Sequence, residues 1–256
     1  MPDRDLPPYR QIADDLRQDI ATGKLAPGEK LESENELKDR YGTTRVTVRK
    51  ALSLLKADGL LISEQGRGVF VRPQPRVRLR TTGANFRERR SSGVSNFNAE
   101  AAAQGLRADQ RILSVARVPA PAEVAERIGI PAGSSVIIRR RAFFIGDEPM
   151  QLADGYYPED LFTGSAVEEP RRIPGGVSAL IEDPAGPVGQ RIVRFVEDLD
   201  IRMPTPAEVD ALRIPPGVPV ARVLRSTCVQ DGRVVEVLDS LVPCDRHLFQ
   251  YVIDVP

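Results

Sequence analysis

Tryptophan is absent from this 256-residue chain, aromatic residues make up only 5% of it, and it carries one histidine, His247. A single imidazole excludes zinc sites built from several histidines. It also leaves one candidate for any Ser-His-Asp or Cys-His arrangement, and a lone His near the end of a sequence reads as a core or solvated residue before a catalytic one. Two cysteines, Cys228 and Cys244, exclude a disulfide framework and any Cys-only zinc site; two free thiols in a reducing compartment are expected. No apolar run approaches the roughly 18 residues that a membrane span requires. Met1-Pro2-Asp3-Arg4-Asp5 lacks the basic and apolar stretches of a signal peptide, so a cytoplasmic protein is expected. A Gly-rich phosphate loop is also missing, and nothing calls for a metal or an organic cofactor.

What is present suits a globular chain of two domains. Hydrophobic residues form 41% and charged residues 28%, which is ordinary for a protein with a real core. Net charge is zero, with 36 basic and 36 acidic side chains, but the charges are unevenly placed. Residues 1–75 are nearly balanced. Residues 76–90 hold six arginines (Arg76, Arg78, Arg80, Arg87, Arg89, Arg90) against Glu88 alone, and residues 91–256 carry a net −6. Two readings fit the basic stretch: a polyanion partner near the N-terminal side, or a solvated linker kept soluble by its arginines.

The first seventy-five residues read as a winged helix. Tyr9, Ile12, Ala13, Leu16 and Ile20 recur at helical spacing, and Gly23 and Pro27-Gly28 end that helix. Ser33 and Glu36 form a capping-box pattern that opens a short second helix, using Leu37 and Tyr41 as apolar contacts. A turn at Gly42-Thr43 leads to a third helix capped by Thr44. Its stripe of Val48, Ala51, Leu52 and Leu55 faces inward and turns Arg45, Thr47, Arg49 and Lys50 outward. Two short helices joined by a tight turn, the second showing Thr and Arg, are helix-turn-helix anatomy. Arg can pair bidentately with guanine, and Thr hydroxyls suit phosphates. Leu60 to Ser63 and Val69 to Arg72 then read as a hairpin around Glu64-Gln65-Gly66-Arg67-Gly68. Its glycines let backbone approach DNA, and Arg67 at the tip serves either a groove or only the solvent.

Leu31-Glu32-Ser33-Glu34-Asn35-Glu36-Leu37, Tyr41 to Leu52, Asp58-Gly59-Leu60 and Gly66 to Val71 together resemble the N-terminal domain of the GntR family of bacterial transcription regulators. The family usually has Pro where Glu32 stands and often Arg where Asn35 stands. The resemblance implies DNA contacts at Thr44, Arg45, Thr47 and Arg49. With the neighbouring polar and wing positions, the candidate DNA-binding set is Ser33, Asn35, Thr44, Arg45, Thr47, Arg49, Lys50, Gln65, Gly66, Arg67 and Gly68.

The remainder repeats itself. Pro121-Ala122-Glu123-Val124 returns as Pro206-Ala207-Glu208-Val209, and Ile130-Pro131-Ala132-Gly133 as Ile214-Pro215-Pro216-Gly217. Two β-rich runs separated by an acidic turn follow each copy, and Asp154 corresponds to Asp239. Each unit is a short helix, a Pro-Gly turn and a β-hairpin. One antiparallel sheet with pseudo-twofold character and helices packed on it is predicted, because two copies are too few for a solenoid.

This arrangement is similar to the UTRA effector-binding domain of the HutC branch of the same family, a fold like that of chorismate lyase. The expected architecture is therefore α+β: residues 1–75 a winged helix-turn-helix, 76–91 a basic linker, and 92–256 a UTRA-like domain for effector binding and dimerisation. The resemblance implies an Arg-x-Arg effector site at Arg139 and Arg141, whose alternation turns both to one sheet face. A polar outer face is the other reading of that pair. It also implies roles for Gln151 and Glu236 where the family often has carboxylates, for Asn98 where it commonly has Ser or Thr, and for Ser178 near a second such hydroxyl. Function is then expected to be that of a repressor. It would bind double-stranded operator DNA as a homodimer and answer to a small anionic effector, with no membrane partner. Two alternatives are an effector-independent repressor whose C-terminal domain only dimerises, and a lyase-like enzyme. The latter lacks a convincing acid–base pair, and fold does not carry catalysis.

Overall fold

A computed structural model describes residues 6–64, 66–73, 79–82 and 96–250. The chain divides into two compact units, the first comprising Met1–Arg76 with Ile214–Val218 and the second Val77–Arg213 with Pro219–Pro256.

In the first unit, α1 (Pro8–Ala21) begins with proline at its first position, where the missing N–H is no loss. Helices α2 (Glu34–Arg40) and α3 (Arg45–Ala57) follow, and then the hairpin of β1 (Leu61–Glu64) and β2 (Gly68–Val71). The predicted stripes are the ones buried. Ile12, Ala13 and Leu16 meet Leu37, Val48, Ala51, Leu52 and Leu55 in one core, closed by Leu61 and Val71 of the hairpin. The capping box at Ser33 is formed: Glu36 N–H donates to Ser33 Oγ at 3.3 Å, and Ser33 N–H donates to Glu36 Oε2 at 2.7 Å. Thr44 caps α3 by accepting from the Thr47 N–H at 3.2 Å. The hairpin gains a bridge from Lys30 to Phe70, so the segment before α2 adds to the wing.

The second unit is a six-stranded antiparallel sheet. Its strands are β4 (Ala108–Pro119), β5 (Ser135–Ile145), β6 (Glu148–Pro158), β7 (Ile192–Arg202), β8 (Val220–Val229) and β9 (Val234–Pro243), in the spatial order β4-β5-β6-β9-β8-β7. The two β-hairpins of the repeat lie side by side in its middle. Asp154 and Asp239, equivalent in the repeat, stand directly opposite each other across β6 and β9, so the pseudo-twofold axis passes between them. Like charges so placed repel. Arg222 offsets this by donating to Asp239 at 2.8–3.0 Å, and Arg140 Nε lies 3.4 Å from Asp154.

Helices cover both sheet faces. On one, α5 (Ala122–Ile128) packs Val124 and Ala125 against Val136, Ile138, Tyr156, Leu224 and Val237. On the other, α4 (Asn96–Ala103) packs Phe97 and Ala101 against Phe143, Met150 and Ala153. The same face carries α6 (Glu159–Phe162), a 3-10 turn at Ala166–Glu168 and α7 (Gly176–Glu182), which gather Phe162, Val167, Val177 and Ile181 around Tyr157. Helix α8 (Pro206–Leu212) opens with its own capping box, Thr205 with Glu208.

Within the basic 76–91 stretch, β3 (Leu79–Thr82) pairs in parallel with β10 (His247–Gln250). That pairing is far apart in sequence and leaves no periodic signal among the arginines. The rest of the 76–91 stretch lies outside the described residues.

Candidate nucleic-acid interface and effector cleft

Helix α3 fixes the first candidate site. Burying Val48, Ala51, Leu52 and Leu55 forces the opposite face into solvent, where Thr44, Arg45, Arg49 and Lys50 are exposed and Thr47 half-buried. The Thr44 and Thr47 hydroxyls are 2.9 Å apart, so each holds the other at the helix start. Ser33 and Asn35 are exposed at the start of α2. At the wing, Gly66 and Gly68 take positive φ of 74° and 121°. A Cβ at Gly68 would meet Lys30 Cε at 3.0 Å, so glycine there admits the lysine stem across the hairpin. Arg67 is exposed, pairs with Glu64 and lies over the Phe70 ring at 5.5 Å. Gln65 lies outside the described residues.

Three further residues belong to this surface and were not singled out by motif. Lys30 comes to the wing only through the bridge to Phe70. Val46 leaves 64% of its surface exposed between Arg45 and Thr47, an apolar group of the kind that meets a thymine methyl. Glu34 accepts two close bonds from Arg49, Nε to Oε1 at 3.0 Å and Nη2 to Oε2 at 2.8 Å, with Arg45 Nη2 at 3.6 Å. The hydrogen bond from Arg49, more than any other influence, holds the Glu34 carboxyl below its usual pKa.

The second candidate site lies on the sheet face under α4 and α7. Directly paired residues share a face, and the registers Arg139↔Gly155↔Leu238 and Arg141↔Ala153↔Ser240 put both arginines there. Gln151 and Glu236 alternate onto the same face. The two arginines differ sharply. Arg139 is 1% exposed and donates to the carbonyls of Val167, Glu169 and Arg171, tying the segment after the 3-10 turn to β5. Burial pulls its pKa down. Arg141 is half-buried, its guanidinium 5.8 Å from the Phe143 ring centroid, and its buried Nε has no hydrogen-bond partner.

Glu236 is met by two hydroxyl donors, Tyr157 to Oε1 at 2.8 Å and Thr227 to Oε2 at 3.0 Å. Gly155 makes this possible, because a side chain there would run into the Tyr157 phenol. Burial drives the Tyr157 pKa far up, so it stays a neutral donor. Gln151 Nε2 donates to Ser240 Oγ at 2.9 Å. Asn98 stands half-buried on α4, its buried Oδ1 without a partner, and Ser178 half-buried on α7. Tyr157, Thr227 and Ser240 carry no signal as single residues in a sequence; only the register brings them beside Glu236 and Gln151.

His247 is buried, with Nδ1 3.2 Å from the Pro243 carbonyl. Among the described residues no cluster of His, Cys, Asp and Glu is arranged to hold a metal, and no helix is long and apolar enough to cross a membrane.

Comparison with known proteins agrees with both halves. Residues 8–71 match the gntR family of bacterial regulatory proteins and residues 103–247 match the UTRA domain. The chain is 31% identical over 240 residues to an HTH-type transcriptional regulator of Mycobacterium tuberculosis, covering 91% of this chain and 81% of the other. It is 28% identical to the HTH-type transcriptional repressor NagR of Bacillus subtilis, covering 97% and 96%. A solved GntR-family transcriptional regulator superposes with a TM-score of 0.73 at 28% identity, covering 98% of each chain. PhnF from Mycobacterium smegmatis, at 22% identity and a TM-score of 0.59 over 96% of this chain and 100% of that one, shares the fold. With a helix-turn-helix head and a UTRA body, the chain belongs to the HutC branch of the GntR family and is a transcriptional regulator, not an enzyme.

Proposed function

We propose that the chain is a repressor that binds a near-palindromic operator as a homodimer and is controlled by a small anionic effector. The carrying observation is the outward fringe of α3, where Arg45 and Arg49 project one turn apart beside Thr44, Thr47 and Lys50. In this reading α3 enters the major groove, Arg45 and Arg49 meet guanine edges or phosphate, and Ser33, Asn35 and the wing residues Gln65 to Gly68 position the head on the backbone. Apolar exposure along the outer strand β7, at Val193, Val196, Leu199 and Ile201, and at Met203 just past its end, supports association of two copies.

The effector occupies the sheet face lined by Arg141, Asn98, Gln151, Ser178 and Glu236. Arg141 Nε and Asn98 Oδ1 support this, since a buried donor and a buried acceptor left unpaired are costly unless a ligand completes them. Arg139 holds the 166–171 segment beside this face through the carbonyls of Val167, Glu169 and Arg171. The effector favours one dimer geometry by binding it more tightly, and residues 76–91 carry that change between effector domain and head.

A thermal-shift screen of anionic metabolites should find ligands that raise the unfolding midpoint by mass action. A ligand so found should change operator affinity of the native chain, and Arg141→Ala should abolish both effects while leaving operator binding intact. Operator affinity that never responds to any stabilising ligand would favour a purely dimerising C-terminal domain.

A further inference from the structure

The DNA-facing surface of the first unit carries a carboxylate where a polyanion is to bind. Glu34, the first residue of α2, engages Arg49 side-on, with Nε 3.0 Å from Oε1 and Nη2 2.8 Å from Oε2, while Arg45 lies 3.6 Å from Oε2. One negative charge therefore sits between the two arginines that α3 projects. The bidentate geometry occupies the edge of Arg49 that would otherwise fork onto phosphate or a base. Arg49 keeps 64% of its side chain exposed and Glu34 keeps 28%, so water and salt screen the pair and it exchanges easily.

Resting on the operator reading above, we propose that Glu34 is an intramolecular counter-ion. It retains Arg49 against loosely placed phosphates and yields it only to a properly seated operator. The chemistry follows from competition. On arbitrary DNA, the backbone offers Arg49 an anion no better positioned than Glu34, and the exchange gains little. On an operator, the contacts made by the rest of α3 fix one DNA group beside Arg49, and the exchange is driven. Glu34 thereby widens the margin between specific and non-specific binding without touching DNA itself.

The test uses fluorescence anisotropy of the full chain with two duplexes across a KCl series. One duplex has scrambled sequence and the other is the preferred sequence recovered by in vitro selection with the wild-type chain. Glu34→Gln keeps the side-chain length and removes the charge. It should bind scrambled DNA more tightly, with a log affinity against log salt slope steeper by about 0.9, the mark of one additional phosphate neutralised. That amounts to about threefold extra loss over a roughly fourfold rise in salt. On the selected duplex the slope should stay at the wild-type value, and the double variant E34Q/R49A should match R49A on both. A merely structural Glu34 would lower the melting temperature and weaken both duplexes together. A wild-type chain that selects no preferred duplex overturns the operator reading and this proposal with it. A chain that selects one, with slopes unmoved by Glu34→Gln or moved equally without Arg49, overturns only the role of Glu34.

Discussion

Arg45 and Arg49 on α3, and Arg139 and Arg141 on β5, are both pairs whose spacing turns two guanidinium groups to one face: i and i+4 on a helix, i and i+2 on a strand. Their fates differ. The helical pair stands in solvent with one carboxylate between them, whereas the strand pair is covered, and one member is spent on three backbone carbonyls. Periodicity therefore says where a side chain points but not what lies over it. For the helix, no described residue of the first unit buries the outer face of α3, where Arg45, Val46, Arg49 and Lys50 stay exposed. For the strand, the cover comes from residues 166–171, a stretch with no helical or alternating pattern to announce it.

That contrast can be broken by substitution and by acid. The largest effect should come at Arg139: removing it leaves the buried Val167 carbonyl without this donor, frees the partly buried carbonyls of Glu169 and Arg171, and empties the space of a fully buried side chain. Arg139→Ala should destabilise the chain by about 3 kcal/mol or more, read from urea unfolding. Acid should act next, and on the same half, because the first unit has no histidine. Burial above all holds His247 at a pKa of about 4, against an ordinary value near 6.5. As pH falls the unfolded chain takes the proton first. The stabilising contribution of neutral His247 is intact above about pH 6.5 and is lost progressively down to about pH 4, up to about 3 kcal/mol. Urea midpoints across that window should fall, and His247→Asn should flatten the dependence.

In the head the effects move from folding to binding. Arg45→Ala or Arg49→Ala should weaken operator binding by about 1–3 kcal/mol where the side chain reads a base, and less with a shallower salt slope where it meets phosphate. Unfolding should stay within about 0.5 kcal/mol of wild type for either. Ser33→Ala removes one half of a formed capping box and should cost about 1 kcal/mol in stability. The smallest change sharpens the comparison most: Arg141→Ala, two residues from Arg139, should alter stability by less than about 1 kcal/mol, since its buried Nε has no partner to lose.

Local rules made much of the molecule legible. The α1 and α3 stripes, the Ser33–Glu36 box and the Thr44 cap depend on neighbours within one or two turns, and those rules act alike in any context. The 85-residue repeat was legible too, and it places Asp154 opposite Asp239 at the centre of the sheet. What escaped depends on distance in sequence. Glu34 reaches Arg49 across a helix pair, Tyr157 reaches Glu236 across β6 and β9, and β3 finds β10 from the far end of the chain. No pattern in a linear run distinguishes Arg139 from Arg141 before the covering segment is placed.

The central claim is that the α3 fringe reads DNA, and its most direct test is anisotropy of wild type and the Arg45→Ala/Arg49→Ala double variant against fragments of the chain's own upstream region. The wild type should pick out one fragment with steep salt dependence, and the double variant should bind all fragments alike while melting at the wild-type temperature. A double variant that still chooses the same fragment with undiminished affinity would contradict the account.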